Sequence, residues 1–167
     1  LNPEAKATST FYEGSDFRLK GKMIASSFNN LGKGKIAAVY FNAGSDYKEY
    51  KSPVLRDYIN STINELFPDQ LVKVSGTHLV HVTLNRLNDR IYVNLMNIAG
   101  EHTNQNAIGY DEIPSIKDIT VSIRTGQKPA HIVLQPGGNE LDFQFQNGVS
   151  KVIVPELMIH SILEVIL

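Results

Sequence analysis

The chain has 167 residues, 42% of them hydrophobic, and its 16 basic and 17 acidic side chains leave a formal net charge of -1. That length suits one or two domains with a real core, and near neutrality gives no electrostatic case for nucleic acid or an anionic membrane as partner. Cysteine is absent, which excludes disulfides, thiol chemistry and thiolate metal sites.

No apolar run reaches the ~18 residues that a membrane-spanning helix needs, so none is expected. Lack of cysteine leaves the compartment open, with a periplasmic or extracellular setting favoured over the cytoplasm. The chain opens at Leu1 with neither methionine nor a charged-then-apolar leader, and reads as a piece of a larger polypeptide.

Residues 1 to 30 are polar and broken, with no sustained periodicity; Met23, Ile24 and Phe28 suggest one short strand or helix. Leu31-Gly-Lys-Gly-Lys35 is a tight turn feeding Ile36–Phe41, a nearly continuous apolar strand of the kind buried on both faces in a parallel sheet. Asn42 to Lys51 reads as a polar loop. Ser52 then caps a helix and Pro53 suits its first position. Leu55, Tyr58, Ile59, Ile63, Leu66 and Phe67 make an apolar stripe at helical spacing, and Pro68 ends it. Strand, loop and amphipathic helix read as the last βα unit of an α/β domain.

From Gln70 the character turns to all-β, which places a domain boundary near residues 68 and 69. Leu71–Ser75 is a first short strand. Val80, Val82 and Leu84 alternate with His81, Thr83 and Asn85, and Ile91, Val93 and Leu95 alternate with Tyr92, Asn94 and Met96. Asn88-Asp89 between them predicts a β-hairpin. The polar segment Gly100 to Pro114 interrupts. Further strands are expected at Ile119–Arg124, Ala130–Leu134, Leu141–Phe145, Val149–Val154 and His160–Ile166, with Asn147-Gly148 as a second hairpin turn. About eight short strands at this spacing predict an antiparallel β-sandwich over residues 69–167, preceded by a partial α/β segment over residues 1–68.

The candidate chemistry is thin. Gly32-Lys33-Gly34-Lys35 lacks the following Ser or Thr and precedes a strand, so it reads as a turn and not as a phosphate loop. His78 and His81 point to opposite faces of a strand, while His102, His131 and His160 stand in separate segments, so no metal site and no cofactor is expected. Glu101, His102, Asp111 and Glu112, in or beside the long loop with Tyr110, form the best acidic cluster. Glycoside hydrolysis needs two carboxylates about 5 to 9.5 Å apart across a sugar, and a loop can supply that; a solvated loop is the plainer reading. Trp is absent. Tyr47, Tyr50, Tyr92 and Tyr110 remain as aromatics for a sugar platform, though tyrosine is more often a half-buried packing residue. Asn60-Ser61-Thr62 matches a glycosylation acceptor but falls in the predicted helix.

Taken in order, GKGKIAAVYFNAG, SPVLRDYINSTINELFP and VKVSGTHLVHVTLNRLNDRIYVNLMNIAGEH resemble the C-terminal part of large bacterial glycoside hydrolases of the β-galactosidase type. IPSIKDITVSIRTGQKPAHIVLQPGGNELDFQFQNGVSKVIVPELMIHSILEVI follows the pattern of their terminal module. The resemblance covers about residues 30 to 167. It implies the end of an amidotransferase-like trimerisation domain, flavodoxin-like in fold, followed by a small β-sandwich. It also implies that the catalytic acids sit in an upstream barrel, so it carries no catalytic residue onto this chain. The expected role is that of a non-catalytic accessory module, with a carbohydrate-binding module or a glycosidase site on the loop as alternatives. Expected partners are the upstream domains of the parent enzyme and further copies of the chain, with carbohydrate as a third candidate.

Overall fold

The computed structural model describes residues 4–12, 14, 18–100 and 112–167. The chain is mainly β and divides into two compact units, Leu1–Asp69 and Gln70–Leu167.

In the first unit, β1 (Lys6–Tyr12), β2 (Lys20–Leu31) and β3 (Gly34–Val39) form an antiparallel sheet in the order β1-β2-β3. Gly32 and Lys33 make the turn between β2 and β3; Leu31 pairs with Gly34, and Gly32 takes a φ of 59° that glycine adopts without strain. The strand expected as part of a parallel sheet is therefore the second arm of a hairpin. Long β2 is hidden from a search for apolar alternation, because its buried centre is Ala25, Ser26 and Ser27. Hydroxyl partners make that burial tolerable: Ser26 Oγ lies 2.8 Å from Thr8 Oγ1 and 2.6 Å from Ser9 Oγ, and Ser27 Oγ lies 2.8 Å from the Tyr40 hydroxyl.

Residues expected as a polar loop form helix α1 (Ala43–Tyr50), closed by left-handed Lys51, whose N–H donates to Tyr47 O at 2.9 Å. Helix α2 (Pro53–Leu66) starts as expected, with Pro53 in its first turn and the Ser52 side chain accepting from the Leu55 N–H. Its stripe meets the unit's aromatics. The rings of Phe41 and Tyr58 lie 5.5 Å apart, and Phe41 and Phe11 5.6 Å apart edge to face. Yet no α2 residue is fully buried, and Val54, Ile63 and Leu66 are exposed.

The second unit holds β4 (Val72–Ser75), β5 (Val80–Leu87), β6 (Arg90–Asn97), β7 (Ile116–Arg124), β8 (His131–Gln135), β9 (Asn139–Glu140), β10 (Phe143–Gln146), β11 (Val149–Leu157) and β12 (His160–Ile166). They pair into two antiparallel sheets, β10-β11-β7-β4 and β5-β6-β12-β8-β9. Both expected hairpins are present: Leu87 faces Arg90 across Asn88-Asp89, and Gln146 faces Val149 across Asn147-Gly148. Alternation then sorts the side chains. Ile91, Val93, Leu95, Ile132, Leu134, Leu163 and Val165 from one sheet join Ile119, Val121, Ile123, Val152, Val154 and Leu157 from the other in a single buried cluster. At its edge, buried Asn97 donates from Nδ2 to Pro114 O at 2.9 Å and Met158 O at 2.6 Å, and accepts at Oδ1 from the Ala99 N–H at 2.8 Å.

Candidate functional site

Four of the five loop candidates, Glu101, His102, Tyr110 and Asp111, lie outside the described residues. Glu112 is exposed in the irregular stretch before β7. Of the tyrosines considered as a sugar platform, Tyr47 and Tyr50 are on α1 of the first unit and Tyr92 is half-buried on β6 of the second. Gly32-Lys33 is the hairpin turn already described, and Asn60-Ser61-Thr62 is helical, with the Ser61 and Thr62 hydroxyls donating back to Tyr58 O.

The most developed polar constellation among the described residues lies on the outer face of the five-stranded sheet. Residues alternate, so Arg90 and Tyr92 of β6, Glu164 of β12 and Gln135 of β8 all point away from the core. Glu164 is the hub. Its Oε1 accepts from the Arg90 guanidinium and, at 3.4 Å, from the Tyr92 hydroxyl, while Oε2 accepts from Gln135 Nε2 at 3.3 Å. The side chain is only 12% exposed. Hydrogen bonding from Arg90 and then from Gln135 outweighs partial burial and holds the Glu164 carboxyl below the ordinary carboxylate range. The same contact raises the Arg90 guanidinium above its ordinary value.

A carboxylate kept ionised by three donors is a poor proton donor near neutral pH, because an acid catalyst must hold its proton there. Glu140, two strands away on the same face, is itself joined to His131, with 2.6 Å between Nδ1 and Oε1. Two sizeable cavities among the described residues offer no carboxylate. One, of about 670 Å³ in the first unit, is lined by Phe11, Phe41, Leu55 and Tyr58 with Thr8 and Ser9 hydroxyls. The other, of about 580 Å³ in the second unit, is lined by Leu84, Ile91 and Ile123 together with Arg86 and Arg124. No helix among the described residues is long and apolar enough to cross a membrane.

These features define a mainly β chain in which the polar cluster around Glu164 joins three neighbouring strands of one sheet. No family model matches the sequence, and a search of curated proteins finds no match. Solved structures do match. The chain is similar to α-L-fucosidase isoenzyme 2 from Paenibacillus thiaminolyticus at 18% identity, with a TM-score of 0.67 over 93% of this chain and 25% of that one. A GH42 β-galactosidase from G. stearothermophilus aligns at 15% identity over 92% of this chain and 17% of that one, with a TM-score of 0.44 too low to build on. The chain thus shares the fold of about a quarter of the fucosidase chain. Both neighbours are glycoside hydrolases, matched over a small part of their length.

Proposed function

We propose that the chain is an accessory module of a glycoside hydrolase: a small antiparallel sheet with two helices over residues 1–68, then a β-sandwich over residues 69–167. One observation carries the reading. Nearly the whole chain superimposes on one quarter of a fucosidase chain, as expected of a module that accompanies a catalytic domain without containing it. Two further features support a non-catalytic role. The hub carboxylate Glu164 is committed to Arg90 and Gln135, and neither large cavity is lined by an acid that could serve in glycoside hydrolysis. The module's contribution is packing and assembly, through contacts with upstream domains or with further copies of itself. Sequencing the gene on the 5′ side of the Leu1 codon tests this: a continuous reading frame encoding a catalytic barrel is the expected result. A frame that lacks any such domain would overturn it.

A further inference from the structure

Read along the chain, His81 and His160 are 79 positions apart, in separate strands. The register of the five-stranded sheet brings them into one row. His81 of β5 pairs with Met96 of β6, and Met96 pairs on its other side with His160 of β12. All three belong to the outer face, because their chain neighbours Val80, Val82, Leu95 and Ser161 are turned toward the core. All three are exposed, Met96 by 48%.

We propose that His81, Met96 and His160 form a binding site for a soft monovalent metal ion, with Cu(I) the natural candidate. The site is built from this row alone and does not depend on the glycosidase reading. Residues opposite each other across an antiparallel pair lie about 4.5–5.5 Å apart, so the two histidine Cα atoms are on the order of 10 Å apart with Met96 midway. An imidazole nitrogen binds metal at about 2.0–2.1 Å. Rings turned toward the central strand can therefore close on one ion above Met96, whose thioether is the third ligand.

The ligand chemistry selects the ion. Thioether sulfur favours Cu(I), and imidazole suits copper as well as zinc and nickel. All three ligands are neutral when the imidazoles are unprotonated. The adjoining row, Thr83, Asn94, Ile162 and Gln135, adds no charged group. A site without anionic ligands compensates one positive charge more readily than two, which weighs against Zn(II). Among the described residues no three His, Cys, Asp or Glu side chains gather to hold a metal. The row reaches three ligands only by counting the thioether.

The test uses the whole chain and Ag(I), a redox-inert d¹⁰ stand-in for Cu(I), at pH about 7.5, where an ordinary imidazole is neutral. Carbon–proton NMR should show the His81 and His160 ring signals and the Met96 methyl shifting together and saturating at one equivalent. The His131 and Met23 signals should stay in place. In competition against a Cu(I) chelator, Met96→Leu should weaken binding at least about tenfold, the loss that removing even an outer-shell partner of a metal ligand causes. His160→Gln should weaken it further, and both variants should keep the wild-type amide spectrum, since the replaced side chains are exposed. The assignment is overturned if the three signals do not move, if His78 or His131 moves instead, if Zn(II) perturbs the row while Ag(I) does not, or if Met96→Leu binds Cu(I) as tightly as wild type.

Discussion

Val93 offers the sharpest test of how the second unit is held together. It is fully buried at the centre of β6, paired with Leu84 on one side and Leu163 on the other, within the cluster that both sheets share. Val93→Ala removes two methyl-sized groups, about 1.6 kcal/mol of transfer free energy at about 0.8 per group. The residual cavity adds to this, since neighbours relax only partly, for a total of about 2–3 kcal/mol. Val82, half-buried against the same cluster, should lose roughly half as much by the same area argument. Thr83, its exposed neighbour, should change stability by no more than about 0.5 kcal/mol on replacement by alanine. Urea titration followed by circular dichroism reads the three variants. With a slope of ~1–2 kcal/mol/M, the Val93→Ala midpoint should fall by more than about 1 M while Thr83→Ala stays near wild type. Equal midpoints for Val93→Ala and Thr83→Ala would refute the assignment of buried and open faces to this hairpin.

Three other outcomes follow from the structure. Glu164 titrates below its unfolded value, so its stabilising contribution is fully present above the unfolded carboxylate pKa and is lost as pH falls through the folded one; Glu164→Gln should flatten the loss of stability on acidification, and a variant as acid-sensitive as wild type would contradict that. At the β10–β11 turn Gly148 has a φ of 77°, and an added Cβ would stand 3.7 Å from Gly126, an ordinary contact. Gly148→Ala should therefore cost about 1–2 kcal/mol from left-handed backbone strain alone, read as a urea midpoint shift. The exposed Ile63, Leu66 and Phe67 at the end of the α2 stripe should drive dimers or trimers through the first unit, because large apolar patches seldom stay open to water. Light scattering should show association for the full chain and a monomer for a polypeptide beginning at Gln70; a monomeric full chain at high concentration would contradict it.

The second unit is legible because its chemistry is local. Apolar residues at Ile91, Val93 and Leu95 alternate with polar ones, and Asn88 and Asn147 sit where the turns need positive φ. The first unit resists the same reading because β2 buries serines whose partners, Thr8, Ser9 and Tyr40, belong to other segments. Helix α1 escapes for a related reason: it is short and polar, with only Ala43 buried. Antiparallel pairing of β3 is written in the Gly32-Lys33 turn, which makes a hairpin as readily as it feeds a parallel strand. The outer face of the five-stranded sheet is not legible at all. Joining Arg90 to Glu164, or His81 to His160 through Met96, depends on β12 lying beside β6, and periodicity says nothing of strand order.

The central claim, an accessory module that does no chemistry of its own, is tested most directly by incubating the isolated 167-residue chain with a panel of aryl glycosides that includes fucosides and galactosides. The account predicts no turnover above the uncatalysed rate with any of them. Turnover that disappears in Glu101→Gln, Asp111→Asn or Glu112→Gln would contradict it and move the active site onto the loop.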